Sequence, residues 1–191
     1  MQYRNSILLV GLFFVFATMT AQKYQNKSEV EVKTEWNGAT FLSSKTFEEN
    51  INELDSFSIL NTIMEDKNLI ETLSTVEMVT IFAPLDTSFE SLKKEDRKNL
   101  LADKNRISNT IKYLAVPGRV DLVSMEKAVA NGRTMQLMTL NGEKLGVKLV
   151  NGKVVLFDAK NNSAEITASN FYHKNGLFHV INGLVYPTSA K

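Results

Sequence analysis

The sequence predicts an α+β domain in which helices come first and antiparallel strands come last. Two observations predict this order. Between residues 46 and 130, apolar side chains recur three and four positions apart, the spacing of amphipathic helices that cover a core. After residue 131, short strand-like runs are separated by Asn-Gly pairs, which favour the positive φ angles of hairpin turns. A chain of 191 residues, 43% of them hydrophobic, is long enough for one such domain with its own core.

The first 21 residues differ in character from the rest of the chain. Arg4 precedes an almost unbroken apolar run over residues 7–17, and the small residue Ala21 stands at a plausible cleavage position. This is the three-part pattern of a secretory signal peptide, and the run is shorter than a membrane-spanning helix requires. The pattern predicts export to the periplasm, the cell surface or the medium. A retained membrane anchor is the alternative.

Residues 22–45 predict an extended N-terminal segment, loosely ordered or laid across the domain proper. The segment is polar but contains Trp36 and Phe41, and Phe47 follows shortly after it. These aromatic side chains either form an exposed patch for a partner or close over one end of the domain. Closure is favoured, because large exposed apolar patches are rare. The chain thus divides into signal peptide, extended segment, domain proper and tail, at residues 1–21, 22–45, 46–188 and 189–191.

The first half of the domain proper predicts several short helices around one buried strand. That strand, residues 79–83, ends at Pro84, because proline cannot donate a hydrogen bond to a neighbouring strand. Asp86 or Thr87 is then predicted to cap the following helix. A later helix ends where Pro117 breaks it.

The second half predicts a meander followed by further strands. Asn-Gly pairs at 141–142 and 151–152 are predicted to form type I′ turns between neighbouring strands. The predicted strands are residues 134–140, 144–150, 153–158, 165–171, 177–181 and 184–186. In the second of them, Leu145, Val147 and Leu149 alternate with polar or small residues and are expected on one face.

Charge balance and the absence of cysteine exclude several classes of protein. The net charge is +1, and basic residues are scattered among nearly equal numbers of acidic ones. No basic stripe therefore marks a surface for nucleic acid or an anionic membrane. Without cysteine the fold must hold without disulfides, and no lipid can be attached at a lipobox cysteine. An exported domain without disulfides is typical of a bacterial protein.

Two segments about a hundred residues apart carry a family resemblance. Residues 79–89 have the sequence VTIFAPLDTSF, and residues 175–187 have the sequence NGLFHVINGLVYP. Together they resemble the two signature segments of the fasciclin domain, and the resemblance extends over residues 46–188. It implies a fasciclin-like fold, with N-terminal helices packed on a two-sheet antiparallel β wedge or sandwich. The signature residues, to which the resemblance gives structural roles, are Thr80, Phe82, Ala83, Pro84, Asp86, Phe89, Asn175, Gly176, His179, Val180, Ile181 and Pro187.

The same resemblance implies one interaction surface. In the family, a Tyr-His pair followed by a turn lies between the two signatures, and in animal members that neighbourhood is tied to integrin binding. This sequence keeps the tyrosine and replaces the histidine with leucine. The predicted binding residues are Tyr113, Leu114, Val116 and Arg119.

The sequence contains no recognisable constellation for catalysis, metal binding or a cofactor. His179 lies among bulky apolar residues of a predicted strand, which predicts a hydrogen-bonded core histidine. His173 is six positions away, in what the sequence predicts to be a polar loop, and this spacing suits neither one helix face nor a chelating turn. A nucleophile elbow, a cysteine and a phosphate-binding loop are all absent from the sequence. No catalytic residue, metal ligand or cofactor is therefore predicted.

The resemblance implies a non-enzymatic exported protein that binds a protein or a component of the cell surface or matrix, most directly in adhesion. A carrier of a lipophilic small molecule, similar to water-soluble carotenoid binders, is the alternative, and an enzyme is the second alternative. Nucleic acid is not a predicted partner, and the membrane is contacted only through the export signal.

Overall fold

The computed structural model describes residues 30–188, of which residues 31–188 belong to one compact unit. The signal peptide predicted at residues 1–21 and the tail at 189–191 lie outside the described residues. The helices are α1 (Phe47–Ile51), α2 (Ser58–Ile63), α3 (Lys67–Ser74), α4 (Asp86–Glu90), α5 (Lys94–Ala102), α6 (Lys104–Tyr113) and α7 (Leu122–Val129). Single turns of 3₁₀ helix occupy Asp55–Phe57 and Ala130–Gly132.

The strands of the described residues form a two-stranded and a seven-stranded sheet. They are β1 (Lys33–Trp36), β2 (Ala39–Leu42), β3 (Val79–Pro84), β4 (Ala115–Pro117), β5 (Met135–Met138), β6 (Lys144–Val150), β7 (Lys153–Phe157), β8 (Ser163–His173) and β9 (Gly176–Asn182). The larger sheet has the order β4-β3-β9-β8-β7-β6-β5. Helices packed on such sheets confirm the predicted α+β class.

One pair of strands departs from the predicted antiparallel arrangement. β3 and β9, which contain most of the two signature segments, pair in parallel, with Val79 opposite Gly176 and Phe82 opposite His179. The prediction of antiparallel strands throughout is therefore wrong for this pair. A parallel pair needs a long crossover instead of a local turn, so no turn residues announce it in the sequence.

The core lies between the helices and the inward face of the large sheet. α3 turns Leu69 and Leu73 inward, four residues apart on one helical face, and both are buried. α7 packs against β5, β6 and β7. There Leu145 and Val147 are fully buried, while Leu149 is half-buried and packs against the same core.

The large sheet curls until its two outer strands meet. The backbone N–H of Leu140, just after β5, donates to the carbonyl oxygen of Ala115 in β4 at 2.8 Å. Beside this bond, the Tyr113 hydroxyl donates to the carbonyl oxygen of Lys144 at 3.0 Å. The outer edge of β4, which an open sheet would expose, is thus partly occupied by the protein's own chain.

The end of the predicted extended segment is an ordered hairpin packed on the core. β1 and β2 are joined by Asn37 and Gly38, whose φ angles of 50° and 86° are those of a type I′ turn. Phe41 is 1% exposed and makes an edge-to-face contact with Phe171, with ring centroids 4.9 Å apart. Trp36 stacks on Phe41. The aromatic side chains therefore close over the domain, and residues 33–42 are not loosely ordered.

Two local predictions in the second half are corrected. The Asn-Gly pair at 151–152 has the positive φ angles of a type I′ turn. In the pair at 141–142, only Gly142 has a positive φ, and the pair lies in a longer loop where the Asn141 side chain accepts a hydrogen bond from the Glu143 N–H. Residues 184–186 do not form a strand. Side chains satisfy the backbone there instead: Gly183 N–H donates to Ser88 Oγ and Tyr186 N–H to Asp158 Oδ2, both at 2.9 Å.

Asp86 caps a helix other than the predicted one. It is the first residue of α4, whose own start has no side-chain cap. Its carboxylate instead accepts hydrogen bonds from Ser58 N–H at 3.1 Å, Ser58 Oγ–H at 2.6 Å and Ile59 N–H at 2.9 Å. The signature aspartate thus satisfies the N-terminal donors of α2, 28 positions earlier in the chain.

Asp86→Ala should lower the free energy of unfolding by about 1–2 kcal/mol, the usual loss of a helix cap. Asp86→Asn should lower it less, because one carbonyl oxygen still accepts. Urea unfolding at neutral pH measures both changes. Asp55→Ala is the matched control, since it removes an exposed carboxylate from the turn just before α2 without removing a cap. Equal losses for Asp86→Ala and Asp55→Ala would contradict the cross-helix cap.

Candidate functional site

A short segment that joins β4 to α7 runs across three neighbouring strands of the sheet. We call residues 117–122, from the last residue of β4 to the first of α7, the strap. Thr80 of β3 donates through Oγ1 to the Gly118 carbonyl oxygen at 2.7 Å and accepts from Val120 N–H at 2.9 Å. Further along, Leu122 N–H donates to Asn170 Oδ1 of β8 at 3.0 Å. Side chains from the sheet thus fix the path of the strap.

His179 of β9 supplies the central attachment of the strap. Its Nε2 lies 2.8 Å from the Val120 carbonyl oxygen, and its Nδ1 lies 3.4 Å from the Asn170 N–H. Because a carbonyl can only accept, Nε2 carries the proton and Nδ1 is the acceptor. Burial lowers the pKa of His179 to about 4, against the opposing effects of the Val120 hydrogen bond and the Asp121 charge. The ring is therefore neutral at pH 7, fully buried, and bonded through both nitrogens.

Other polar signature residues also bond within the protein. Asn175 Nδ2 donates to the carbonyl oxygens of Leu73 at 2.9 Å and Val76 at 3.2 Å, which satisfies the C-terminal end of α3. Gly176 lies so close to β3 that a Cβ there would be 1.8 Å from the Val79 oxygen. The apolar signature residues are all buried: Phe82, Ala83, Pro84, Phe89, Val180, Ile181 and Pro187.

Three of the four predicted binding residues are buried. Tyr113, Leu114 and Val116 are at most 1% exposed, because the chain turns inward after α6 to form β4. Burial, with the nearby charges of Asp158 and Glu143, raises the pKa of the Tyr113 phenol to about 12. These three residues are therefore not accessible to a partner and instead support the sheet from within.

Arg119 is the one exposed member of the predicted set. Its guanidinium carbon lies 5.2 Å from the ring centroid of Tyr172, within the range of a cation–π contact. Pro117 of the strap is also exposed. Met78, which is 40% exposed, lies next to the strap, because its carbonyl oxygen accepts a hydrogen bond from Gly118 N–H at 2.7 Å. We call Met78, Pro117, Arg119 and Tyr172 the strap patch. It contains a cation held over an aromatic ring and two further residues whose side chains are apolar and exposed.

His173 does not lie in the predicted polar loop. It is the last residue of β8, is 3% exposed, and packs against Phe47 with ring centroids 5.8 Å apart. Among the described residues, neither ring nitrogen has a hydrogen-bond partner of good geometry. Burial lowers the pKa of His173 to about 4, with neighbouring polar groups acting weakly against the shift. Within residues 30–188, no three His, Asp or Glu side chains lie close enough together to hold a metal ion.

Sequence reasoning missed Asn170 and Tyr172. Asn170 has a φ of 62° inside β8, where the pairing with β9 shifts register, and this bulge directs its side chain to the strap. An asparagine within a predicted strand is the signal that could have indicated such a bulge, because asparagine tolerates positive φ better than most residues. Tyr172 gave no signal, since its role depends on a residue 53 positions earlier in the chain.

Fold and site together define a single α+β module whose signature residues build the scaffold. A family model for the fasciclin domain matches residues 55–187, and the chain belongs to that family. In the part of the chain that the structure describes, no helix is both long and apolar enough to cross a membrane.

Similar proteins include long and short chains. The chain is 29% identical to periostin of Homo sapiens over 148 residues, which are 78% of this chain and 17% of periostin. It is 30% identical to transforming growth factor-beta-induced protein ig-h3 of Sus scrofa over 135 residues, 71% of this chain and 18% of that protein. Protein sll1483 of Synechocystis is 29% identical over 135 residues, 70% of this chain and 68% of that protein. The chain thus spans less than a fifth of periostin and ig-h3.

Among solved structures, the fold matches a FAS1 domain pair from the insect cell adhesion molecule Fasciclin I. The TM-score is 0.64 at 13% sequence identity, and the match covers 82% of this chain and 58% of that chain. At this identity the similarity concerns the fold alone.

Proposed function

We propose that this protein is an exported, non-enzymatic binding module that attaches to a protein or to a component of the cell surface or matrix, most directly in adhesion. The signal-peptide pattern of residues 1–21 supports export to the periplasm, the cell surface or the medium. The insect protein that shares the fold is a cell adhesion molecule, which supports the same general role here.

One observation carries this proposal. Thr80 and His179 lie at signature positions, and their polar groups bond to the backbone of the strap. These residues therefore hold a partly exposed loop in one conformation. A fixed loop loses less conformational entropy on binding than a flexible one, so the strap is suited to recognition.

The strap patch has the composition of a protein-binding surface. Arginine and tyrosine are enriched among the residues that contribute most to binding at interfaces. Arg119 is exposed and Tyr172 half-buried, and the two are in contact, so a partner can bury both. The guanidinium favours a partner that presents carboxylate or other anionic groups.

Arg119→Ala should weaken adhesion of protein-coated beads to target cells or matrix by at least about fivefold, the effect of roughly 1 kcal/mol at an interface. It should also reduce the salt dependence of attachment, because the exposed cation is lost. Bead attachment at two salt concentrations measures both effects, with protein from which the signal peptide has been removed.

Arg133→Ala is the matched control. Arg133 is an exposed arginine that follows α7, where it donates to the carbonyl oxygens of Ala130 and Lys127. Thermal melts establish that both variants are folded. If folded Arg119→Ala protein attaches as well as Arg133→Ala protein, the strap patch is not the adhesive surface.

A further inference from the structure

A pocket separate from the strap patch lies between the first turn of α1, the second half of α3, β3 and the turn that joins β8 to β9. Its volume is about 350 Å³. Cavities that bind small molecules begin at about 300 Å³, so this pocket has room for one compact ligand.

Part of the pocket lining is apolar and nearly buried. Phe47, Leu73 and Ile81 line it, and their side chains are 3%, 4% and 1% exposed. Ile70 adds a further apolar wall. Buried apolar walls favour an alkyl or aryl group, because transfer of such a group out of water stabilises the complex by roughly 0.8 kcal/mol per methylene.

The remaining lining includes two opposite charges. Lys174 is exposed, and among residues 30–188 its ammonium has no hydrogen-bond or ion-pair partner. Glu48 lies in the first turn of α1, and within the same described range its carboxylate has no such partner. A purely anionic ligand would meet repulsion from Glu48, and a purely cationic one repulsion from Lys174. A head group that carries both charges complements both residues.

We propose that this pocket binds a small zwitterionic amphiphile, with its apolar body on Phe47, Leu73 and Ile81, its anionic group at Lys174 and its cationic group at Glu48. An apolar amino acid and a short-chain lipid with a phosphocholine-type head share this chemistry. A carotenoid does not fit in this pocket. Each of its roughly forty carbon atoms takes up a volume comparable with the volume per molecule in liquid water, about 30 Å³, so the whole molecule is larger than the pocket.

The test compares ligands that differ only in charge, by NMR titration of the protein without its signal peptide. L-phenylalanine carries both charges, 3-phenylpropionate lacks the ammonium group, and 2-phenylethylamine lacks the carboxylate. Hexylphosphocholine represents the lipid source. We expect L-phenylalanine, hexylphosphocholine or both to shift resonances of the pocket residues, and L-phenylalanine, if bound, to bind about fivefold more tightly than either half-charged analogue. Binding of only one zwitterion identifies the source.

Charge variants assign the two ends of the ligand. Lys174→Met should remove the preference for the bound zwitterion over a matched amine, and Glu48→Gln should remove the preference over a matched carboxylate or phosphate. Hexylamine and hexyl phosphate are the matched analogues if only hexylphosphocholine binds. Lys160→Met, at an exposed lysine outside the pocket lining, should change neither preference. The proposal would be overturned if both zwitterions failed to bind at millimolar concentration. Equal binding of a zwitterion and its analogues would overturn it as well.

Discussion

Gly176→Ala is expected to destabilise the protein by about 3–5 kcal/mol, the range of the most severe single substitutions. The methyl group would lie 1.8 Å from the Val79 carbonyl oxygen and 2.9 Å from the Val79 nitrogen. Neither atom can move aside easily, since Val79 N–H also donates to the Asn175 carbonyl oxygen at 2.9 Å. The substitution therefore forces apart the first residue pair of β3 and β9, two strands that each have a neighbour on both sides in the sheet.

Gly152→Ala is the control for the loss of a glycine. Its φ is +78°, and an added Cβ would meet nothing within 4 Å. Its expected loss is about 1–2 kcal/mol from backbone strain alone. Urea unfolding measures both variants, and soluble yield and circular dichroism suffice if Gly176→Ala does not fold. A Gly176→Ala protein as stable as Gly152→Ala would mean that β3 and β9 do not approach so closely.

Acidification from pH 7 to pH 5 is expected to reduce the free energy of unfolding by about 4 kcal/mol, half from each histidine. Burial lowers the pKa of both His173 and His179 to about 4, from an ordinary value of 6.5. Between these two values the unfolded chain binds protons that the folded chain does not. Stability is therefore complete above pH 6.5 and falls as the pH approaches 4. Below that value the histidines contribute no further loss.

Urea unfolding at intervals of half a pH unit between 7.5 and 5 measures this effect before most carboxylates titrate. His173→Phe, which replaces the ring with an apolar one beside Phe47 and Phe178, should reduce the slope of stability against pH by about half. The slope is informative even if the variant differs in absolute stability. A stability that stays constant between pH 7 and pH 5 would contradict neutral, buried histidines.

The sequence predicted what short-range patterns determine. The helical periodicity of residues 67–74 and the turn at Asn151-Gly152 both formed as expected, because each depends on residues within a few positions. Long-range partners were not predictable in this way. The capping propensity of Asp86 was visible, but the helix that it caps lies 28 positions earlier.

The sequence predicted one surface formed by Tyr113, Leu114, Val116 and Arg119, and of these only Arg119 is exposed. The direction of the chain after Tyr113 decides the burial of Leu114 and Val116, and that direction depends on pairing with β3. His173 was predicted to lie in a loop because polar residues surround it in the sequence. In the structure β8 continues to His173, and its side chain is buried in the core. Neither outcome follows from local composition.

The position of β9 has a mechanical consequence for the adhesive role proposed above. β9 is the last strand within residues 30–188, and it lies between β3 and β8 inside the sheet. Tension applied at the C-terminal end first acts on the bonds from Tyr186 to Asp158 and from Thr188 to Glu143. It then acts along the axis of β9, almost perpendicular to the hydrogen bonds on both sides. Those bonds share the load and must fail together, as they do in shear, whereas a strand peeled from an edge would lose them one at a time.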